Sequence, residues 1–303
     1  MMRLLIVGTV PVVDLPLACG EVHREGQMLK IGETTLAGGQ GTGAMLGAAL
    51  AVTEYLKLDP PWAVVAGDIG GGAGSRAVYE YLIENIAALA PEILALHYCL
   101  PDMMLMGSLC RQVVGLAARP MLLADAGAMY AAKAAGLAGD FDVFTPDLSE
   151  LAFLADKAAT HPAYISRHLF TTEAARIPEL AIAAYRDRNA ARLLLVKGAT
   201  DYIFRDGDLM ARVAAPDVPA LEAIGGTGDT ITGLTAGFIA AGLEPHQAAL
   251  FAARTNRTAG ELAAVTPASR VPELIAGFPE VFRAHLCAWS GICTWPHNLS
   301  EGD

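Results

Sequence analysis

The chain has 303 residues, enough for one large domain or two small ones, and 53% apolar against 17% charged residues supply a substantial core. A net charge of −11 with no Lys/Arg-rich run argues against nucleic acid or an anionic membrane surface as the main partner, although backbone groups could still hold a nucleotide locally. The five cysteines, Cys19, Cys99, Cys110, Cys287 and Cys293, are scattered and include no C-x-x-C pair, which points to reduced thiols in a cytoplasmic protein and to neither a disulfide framework nor a zinc site.

Leu4 to Gly8 is a compact apolar run closed by glycine and predicts a buried strand. It is too brief for a signal-peptide core, and no uninterrupted apolar run approaches the ~18 residues of a membrane span. The segment Cys19 to Glu33 is polar and mixed; it reads as a small flap of short strands, a possible lid within 19–35, or as a loop. Leu36 to Ala44, with Gly38, Gly39, Gln40, Gly41 and Gly43, forms a Gly-rich turn ahead of an Ala/Leu-rich helix through about Leu56. Its open backbone suits a substrate, or simply a tight strand-to-helix turn.

Trp62 to Gly67 repeats the strand pattern, Asp68 to Gly74 is another glycine-rich loop, and Arg76 to Leu89 has helical periodicity. Ile93 to Leu96 and Met121 to Ala124 are further short strands, with a helix expected from Met103 to Ala118. Val143 to Thr145 ends another strand, and Asp147 with Glu150 three residues on fits a helix-capping pair. The same carboxylates could instead face a metal-bound phosphate at that strand's end.

Ala174 to Arg188 reads as a helix, Leu193 to Gly198 as a buried strand carrying Lys197 at its end, and Tyr202 to Val213 as a hairpin turning at Asp206-Gly207. Helices are expected at Pro245 to Ala264 and Val271 to Ala284, whereas 285–303 has no clear period and leaves Trp289, Trp295 and His297 to pack on the body or at an oligomer contact. Strands alternating with helices imply one α/β domain over 1–303, with a mostly parallel sheet, helices on both faces and ligands beyond the strands' carboxyl ends.

The chemistry concentrates at Ala223 to Phe238. Gly225, Gly226 and Gly228 leave backbone N–H groups uncovered, and small apolar residues continue into a helix. Such a turn can cradle an anion at the positive end of the helix dipole, and Asp229 beside it could take a proton from an attacking hydroxyl. Ordinary capping by Asp229 and a plain turn with positive φ are the alternative.

The ordered set of Gly38 to Ala44, Leu123 to Met129, Thr145 to Leu151, Val196 to Ala199 and Gly225 to Asp229 resembles the ribokinase-like superfamily. Within it the set is most similar to the NAD(P)H-hydrate dehydratase branch, with the likeness strongest from about residue 120 to 265. The resemblance implies a three-layer ribokinase-like α/β fold, ATP or ADP as phosphoryl donor, and Mg²⁺. It implies that Gly225, Gly226, Thr227 and Gly228 form the anion hole and that Asp229 is the general base. Lys197, Gly198 and Asn256 would border the nucleotide; Gly38, Gly39, Gln40 and Asp125 the substrate; and Asp147 and Glu150 the metal, through phosphate or water. Two departures stand out: Asp125-Ala126-Gly127 replaces an expected Asp-Ala-Asp, and the usual glycine-proline-glycine turn has only Met106-Gly107-Ser108 nearby.

The leading expectation is dehydration of hydrated NAD(P)H, in which the ring hydroxyl is phosphorylated and phosphate is then eliminated. A kinase for a sugar or vitamin-precursor alcohol uses the same residues, and a nucleotide-binding protein without catalysis fits the missing carboxylate at Gly127. The protein is expected to be a homo-oligomer acting on a small-molecule nucleotide or alcohol, with neither nucleic acid nor membrane as partner.

Overall fold

The computed structural model describes residues 2–160 and 174–293. Short apolar runs become buried strands: β1 (Leu4–Val10) is buried at every position, and β5 (Trp62–Gly67), β6 (Ile93–Leu96), β7 (Met121–Ala124), β8 (Val143–Phe144) and β9 (Leu193–Val196) surround it. These six pair in parallel in the order β9-β8-β7-β6-β1-β5. Antiparallel strands extend both edges. On one side lie β10 (Asp201–Arg205) and β11 (Asp208–Val213), the expected hairpin; on the other lie β2 (Ala18–Glu25), β3 (Met28–Ile31) and β4 (Thr34–Ala37). The polar segment Cys19 to Glu33 therefore forms strands, and β2 joins the main sheet by pairing Ala18–Glu21 with β5.

Side chains alternate across the sheet, so β1 feeds two cores: Leu4 and Ile6 face one, Leu5 and Val7 the other. The first core is covered by α1 (Thr42–Leu56), α7 (Thr227–Ala240), α8 (Pro245–Leu262) and α9 (Val271–Val281). The second is covered by α2 (Ala73–Leu89), α3 (Met103–Val114), α4 (Ala126–Ala134), α5 (Leu148–Ala155) and α6 (Ile177–Arg186). This is the three-layer α/β arrangement expected from the sequence. No helix among the described residues is long and apolar enough to cross a membrane.

The central contact is α1 on α7, made possible by small residues. A Cβ at Gly233 would lie 2.1 Å from the Met45 carbonyl oxygen, so the two backbones touch there and nothing larger than glycine fits. The contact brings the N-termini of both helices to the same end of the sheet, beyond the carboxyl ends of the strands. Chain order reverses around β1, which has β5 on one side and β6 on the other, and that crevice is where α/β sheets bind ligands.

Two expectations are corrected near the C-terminus. The helix does not end at Ala284: after a π-helical turn at Phe282–Leu286 it continues as α10 (Cys287–Ser290). Trp289 packs on the body, stacked against Phe251 and His285; Trp295 and His297 lie outside the described residues. The thiols are not all reduced either, because Cys287 is bonded to Cys293. Gly291, at φ 74°, ends the helix in the left-handed region and turns the chain back so that the two Cα atoms come within 4.5 Å, a pairing that C-x-x-C spacing does not signal. Cys19, Cys99 and Cys110 are free.

Candidate active site

Asp229 sits in the first turn of α7, capped by Gly226 at φ 99°. A left-handed residue there bends the chain sharply into the helix, which glycine does without strain. The amides of Gly228 and Asp229 lie in the first helical turn, where no intrahelical acceptor exists, so they form an anion-binding end. Thr227 turns its hydroxyl away to the Leu221 and Ile224 carbonyl oxygens, at 2.8 and 3.1 Å, and braces the turn.

The Asp229 carboxylate is held from two sides. Its Oδ2 accepts the Gly41 amide at 2.7 Å, at the start of α1, and its Oδ1 lies 3.1 Å from His97 Nε2. Burial pushes its pKa up, but the hydrogen bond and charge of His97, Lys197 and the Gly41 amide outweigh it and leave the carboxyl below its ordinary value. The side-chain hydrogen bonds of Asp229 run to Gly41 and His97 and not to its own helix. The ordinary-capping alternative therefore has no hydrogen bond behind it.

Asp125, which directly follows β7 and caps α4, is buried beneath this point and fully engaged. Lys197 Nζ donates to both of its oxygens, at 3.0 and 2.8 Å, Thr232 donates to Oδ2 at 2.6 Å, and the Ala126 amide donates to Oδ1 at 2.9 Å. Burial works against the Lys197 ammonium, yet Asp125, Glu150 and Asp229 outweigh it and raise its pKa. The expected capping pair is present: Asp147 accepts the Glu150 amide, and Glu150 accepts the Asp147 amide, each at 2.8 Å. Glu150 also accepts the Tyr130 hydroxyl at 2.9 Å, and burial followed by the Asp125 charge pushes it up to about 8 against the pull of Lys197.

Two cavities meet at Asp229. One, of about 360 Å³, is lined by Gly226, Thr227, Gly228, Lys197, Gly198 and Asn256 among others, so three of the four expected anion-hole residues fall together with the nucleotide positions, and Gly225 lines the other cavity. Asn256 is also structural, accepting the Thr230 hydroxyl at 2.7 Å. The other, of about 810 Å³, is lined by Gln40, Gly41, Tyr98, Tyr130, Gly225 and Asp68, among others. Asp125, Asp147 and Glu150 border the first cavity, and the latter two also border the second.

The substrate set of Gly38, Gly39, Gln40 and Asp125 is not brought together in one cavity. Gln40 borders the larger cavity, Asp125 the smaller, Gly39 a separate groove near Arg270, and Gly38 none of these. What the Gly-rich turn gives the site is the Gly41 amide on Asp229. The sequence reasoning missed His97 and Tyr98, which directly follow β6. Their position at a strand's carboxyl end was the available signal.

The same turn accounts for Gly127. A Cβ there would lie 2.1 Å from the Cys99 carbonyl oxygen, so the 97–99 backbone occupies the space a side chain at 127 would need. Met106-Gly107-Ser108 lies within α3, and the turn at the end of β6 is His97-Tyr98-Cys99 itself.

A family model described as NAD(P)H-hydrate dehydratase matches residues 104–276. An uncharacterized protein of Methanocaldococcus jannaschii is 35% identical over 242 residues, 80% of this chain and 100% of that one. The ADP-dependent (S)-NAD(P)H-hydrate dehydratase of Xanthomonas campestris is 30% identical over 262 residues, 86% of this chain and 79% of that one. The bifunctional NAD(P)H-hydrate repair enzyme of Moorella thermoacetica is 32% identical over 71% of this chain, which spans only 37% of that longer protein.

Among solved structures, YxkO of Bacillus subtilis superposes with a TM-score of 0.55 at 16% identity, covering 93% of this chain and 91% of that one. Hydroxyethylthiazole kinase of Pyrococcus horikoshii gives 0.53 at 20% identity, covering 94% and 92%. At these identities the likeness is one of fold. The chain is a ribokinase-like α/β protein and belongs to the NAD(P)H-hydrate dehydratase family.

Proposed function

We propose that the protein dehydrates hydrated NAD(P)H at the expense of ADP or ATP, with Asp229 as the general base. The observation that carries this is the placement of Asp229, where an anion-binding helix end opens on one cavity and a second, larger cavity opens beside it. The nucleotide's terminal phosphoryl group lies against the amides of Gly228 and Asp229, with Gly226 and Thr227 shaping the turn and Lys197, Gly198 and Asn256 bordering the nucleotide. The acceptor hydroxyl approaches from the larger cavity. Its oxygen forms the new bond to phosphorus, the bond from phosphorus to the nucleotide's bridging oxygen breaks, and the hydroxyl proton goes to Asp229. Phosphate then leaves with the electrons of the carbon–oxygen bond, the adjacent carbon loses a proton, and the ring double bond is restored.

The donor set suits Mg²⁺, which takes oxygen ligands and keeps several waters. Asp147 is exposed and borders both cavities, so it would hold the ion together with the phosphates, while both oxygens of Glu150 are already hydrogen-bonded. The bound ion would offset phosphate charge during transfer. A low Asp229 pKa is compatible with its role, because in a loose phosphoryl transfer the hydroxyl becomes acidic only as the new bond forms.

A second reading is favoured by one observation. Four carboxyl groups, Asp68, Asp147, Glu150 and Asp229, border the larger cavity, and no lysine or arginine among the described residues does. Such a wall suits an uncharged alcohol and gives a pyrophosphate no cation, which is the case for a kinase of a sugar or vitamin-precursor alcohol. The expected homo-oligomer is tested by sizing with light scattering. A panel of hydrated NADH, hydrated NADPH and neutral alcohols, with phosphorus NMR of the products, separates the readings: free phosphate with restored NAD(P)H supports dehydration, and a stable phosphoester of an alcohol supports the kinase. Tight nucleotide binding with no turnover would favour loss of catalysis.

A further inference from the structure

His97 is fully buried and borders neither cavity, yet it touches the candidate base. Its Nε2 lies 3.1 Å from Asp229 Oδ1 and 3.8 Å from Asp125 Oδ2, and its Nδ1 lies 3.1 Å from Thr42 Oγ1. The Thr42 hydroxyl has one proton and gives it to the Thr9 carbonyl oxygen at 2.7 Å, which leaves a lone pair towards the ring. The network thus assigns Nδ1–H as the donor to Thr42 and Nε2–H as the donor to Asp229. Gly8 leaves room for the pair, since a Cβ there would lie 2.6 Å from Thr42 Oγ1.

We propose that His97 is a positioning residue that sets the plane of the Asp229 carboxylate for the incoming hydroxyl. The proposal rests on Asp229 being the base. The terminal torsion of an aspartate is soft, so one contact, the Gly41 amide on Oδ2, would leave the plane free to turn. A second donor on Oδ1 fixes it, and each oxygen keeps a further lone pair for the substrate proton. Tyr98, edge-on to the imidazole with ring centroids 4.3 Å apart, stands in the wall of both cavities and screens the ring from them. The turn that excludes a carboxylate at Gly127 is the one that delivers His97, so the two features are a single rearrangement at the end of β6.

The test compares His97→Leu, which removes both donors, with His97→Gln, whose amide can replace the Nε2 donor. Asp229→Asn runs in parallel, on whichever panel substrate the wild type turns over. For His97→Leu, kcat is expected to fall by about 10- to 100-fold with KM for the nucleotide within about twofold, since a misplaced reacting group costs rate more than ground-state binding. His97→Gln should recover most of the loss. If His97→Leu unfolds, Thr42→Val, which removes the ring's other anchor together with the bond to the Thr9 carbonyl oxygen, is expected to lower kcat by several-fold at unchanged KM. A wild-type kcat in His97→Leu or Thr42→Val, or equal loss in the Gln and Leu variants, overturns the positioning role while leaving the base intact. A wild-type kcat in Asp229→Asn overturns the base itself.

Discussion

Gly233→Ala probes the geometry on which the site depends. Gly233 lies one helical turn below Asp229 on α7 and faces Met45, which lies one turn below Gly41 on α1. An added Cβ would lie 2.1 Å from the Met45 carbonyl oxygen, about 1.2 Å short of ordinary carbon–oxygen contact. Both atoms belong to backbone or are fixed to it, so the helices must separate. Overpacking of this kind costs about 1–3 kcal/mol. Part of the separation reaches the next turn, where the 2.7 Å bond from the Gly41 amide to Asp229 lengthens and the anion-binding end of α7 shifts with it. A 1 Å misplacement near the chemistry can cost about 10² in rate. The assay is urea unfolding together with steady-state kinetics: the midpoint should fall and kcat should drop by about 10–10². A variant with unchanged midpoint and unchanged kcat would refute the claim that the α1–α7 contact sets the site.

Asp229→Asn should lower the urea midpoint, because the amide cannot accept from both Gly41 and His97, while leaving ADP affinity by calorimetry nearly unchanged and lowering kcat by about 10²–10⁴; a wild-type rate would remove Asp229 from the mechanism. Glu150 makes stability depend on pH. Its ordinary value of 4.5 is raised to about 8 in the fold, so between those values the native state holds a proton that the unfolded chain has released, and stability falls as pH rises. Glu150→Gln should flatten that fall in urea titrations from pH 5 to 8, and an unaltered slope would contradict it. Arg257 donates to Asp201 at 2.8 Å in a buried pair that also ties the Gly198 carbonyl. Arg257→Met should therefore cost about 3–5 kcal/mol by urea unfolding, because it strands a buried carboxylate; a loss under about 1 kcal/mol would mean that the pair is not what holds the Gly198 loop.

Local patterns carried the sheet. Runs such as Trp62–Gly67 are apolar because both faces are covered, and for Trp62–Gly67, Ile93–Leu96 and Met121–Ala124 the limits in the fold match those read from the chain. The Asp147–Glu150 pair was legible because capping is a local rule, and the Gly225 to Asp229 turn because a glycine cluster ahead of a helix is a local signal. What stayed hidden depends on distant partners. His97 is 132 positions from Asp229, and Lys197 is 72 from Asp125, so no spacing rule relates them. Helix α4 was not expected because it is short, and its first residue, Ala126, starts at φ 50°, a left-handed conformation that an alanine does not announce. The role of Gly41 was hidden for the same reason: only the fold places its amide on Asp229.

The most direct test is to mix the protein with hydrated NADH, Mg²⁺ and ADP or ATP and to follow NADH absorbance and free phosphate together. The wild type should give equimolar rises in both, and Asp229→Asn neither within the same time. Phosphate without NADH, no rise with the wild type, or equal rises with the variant would contradict dehydration driven by Asp229.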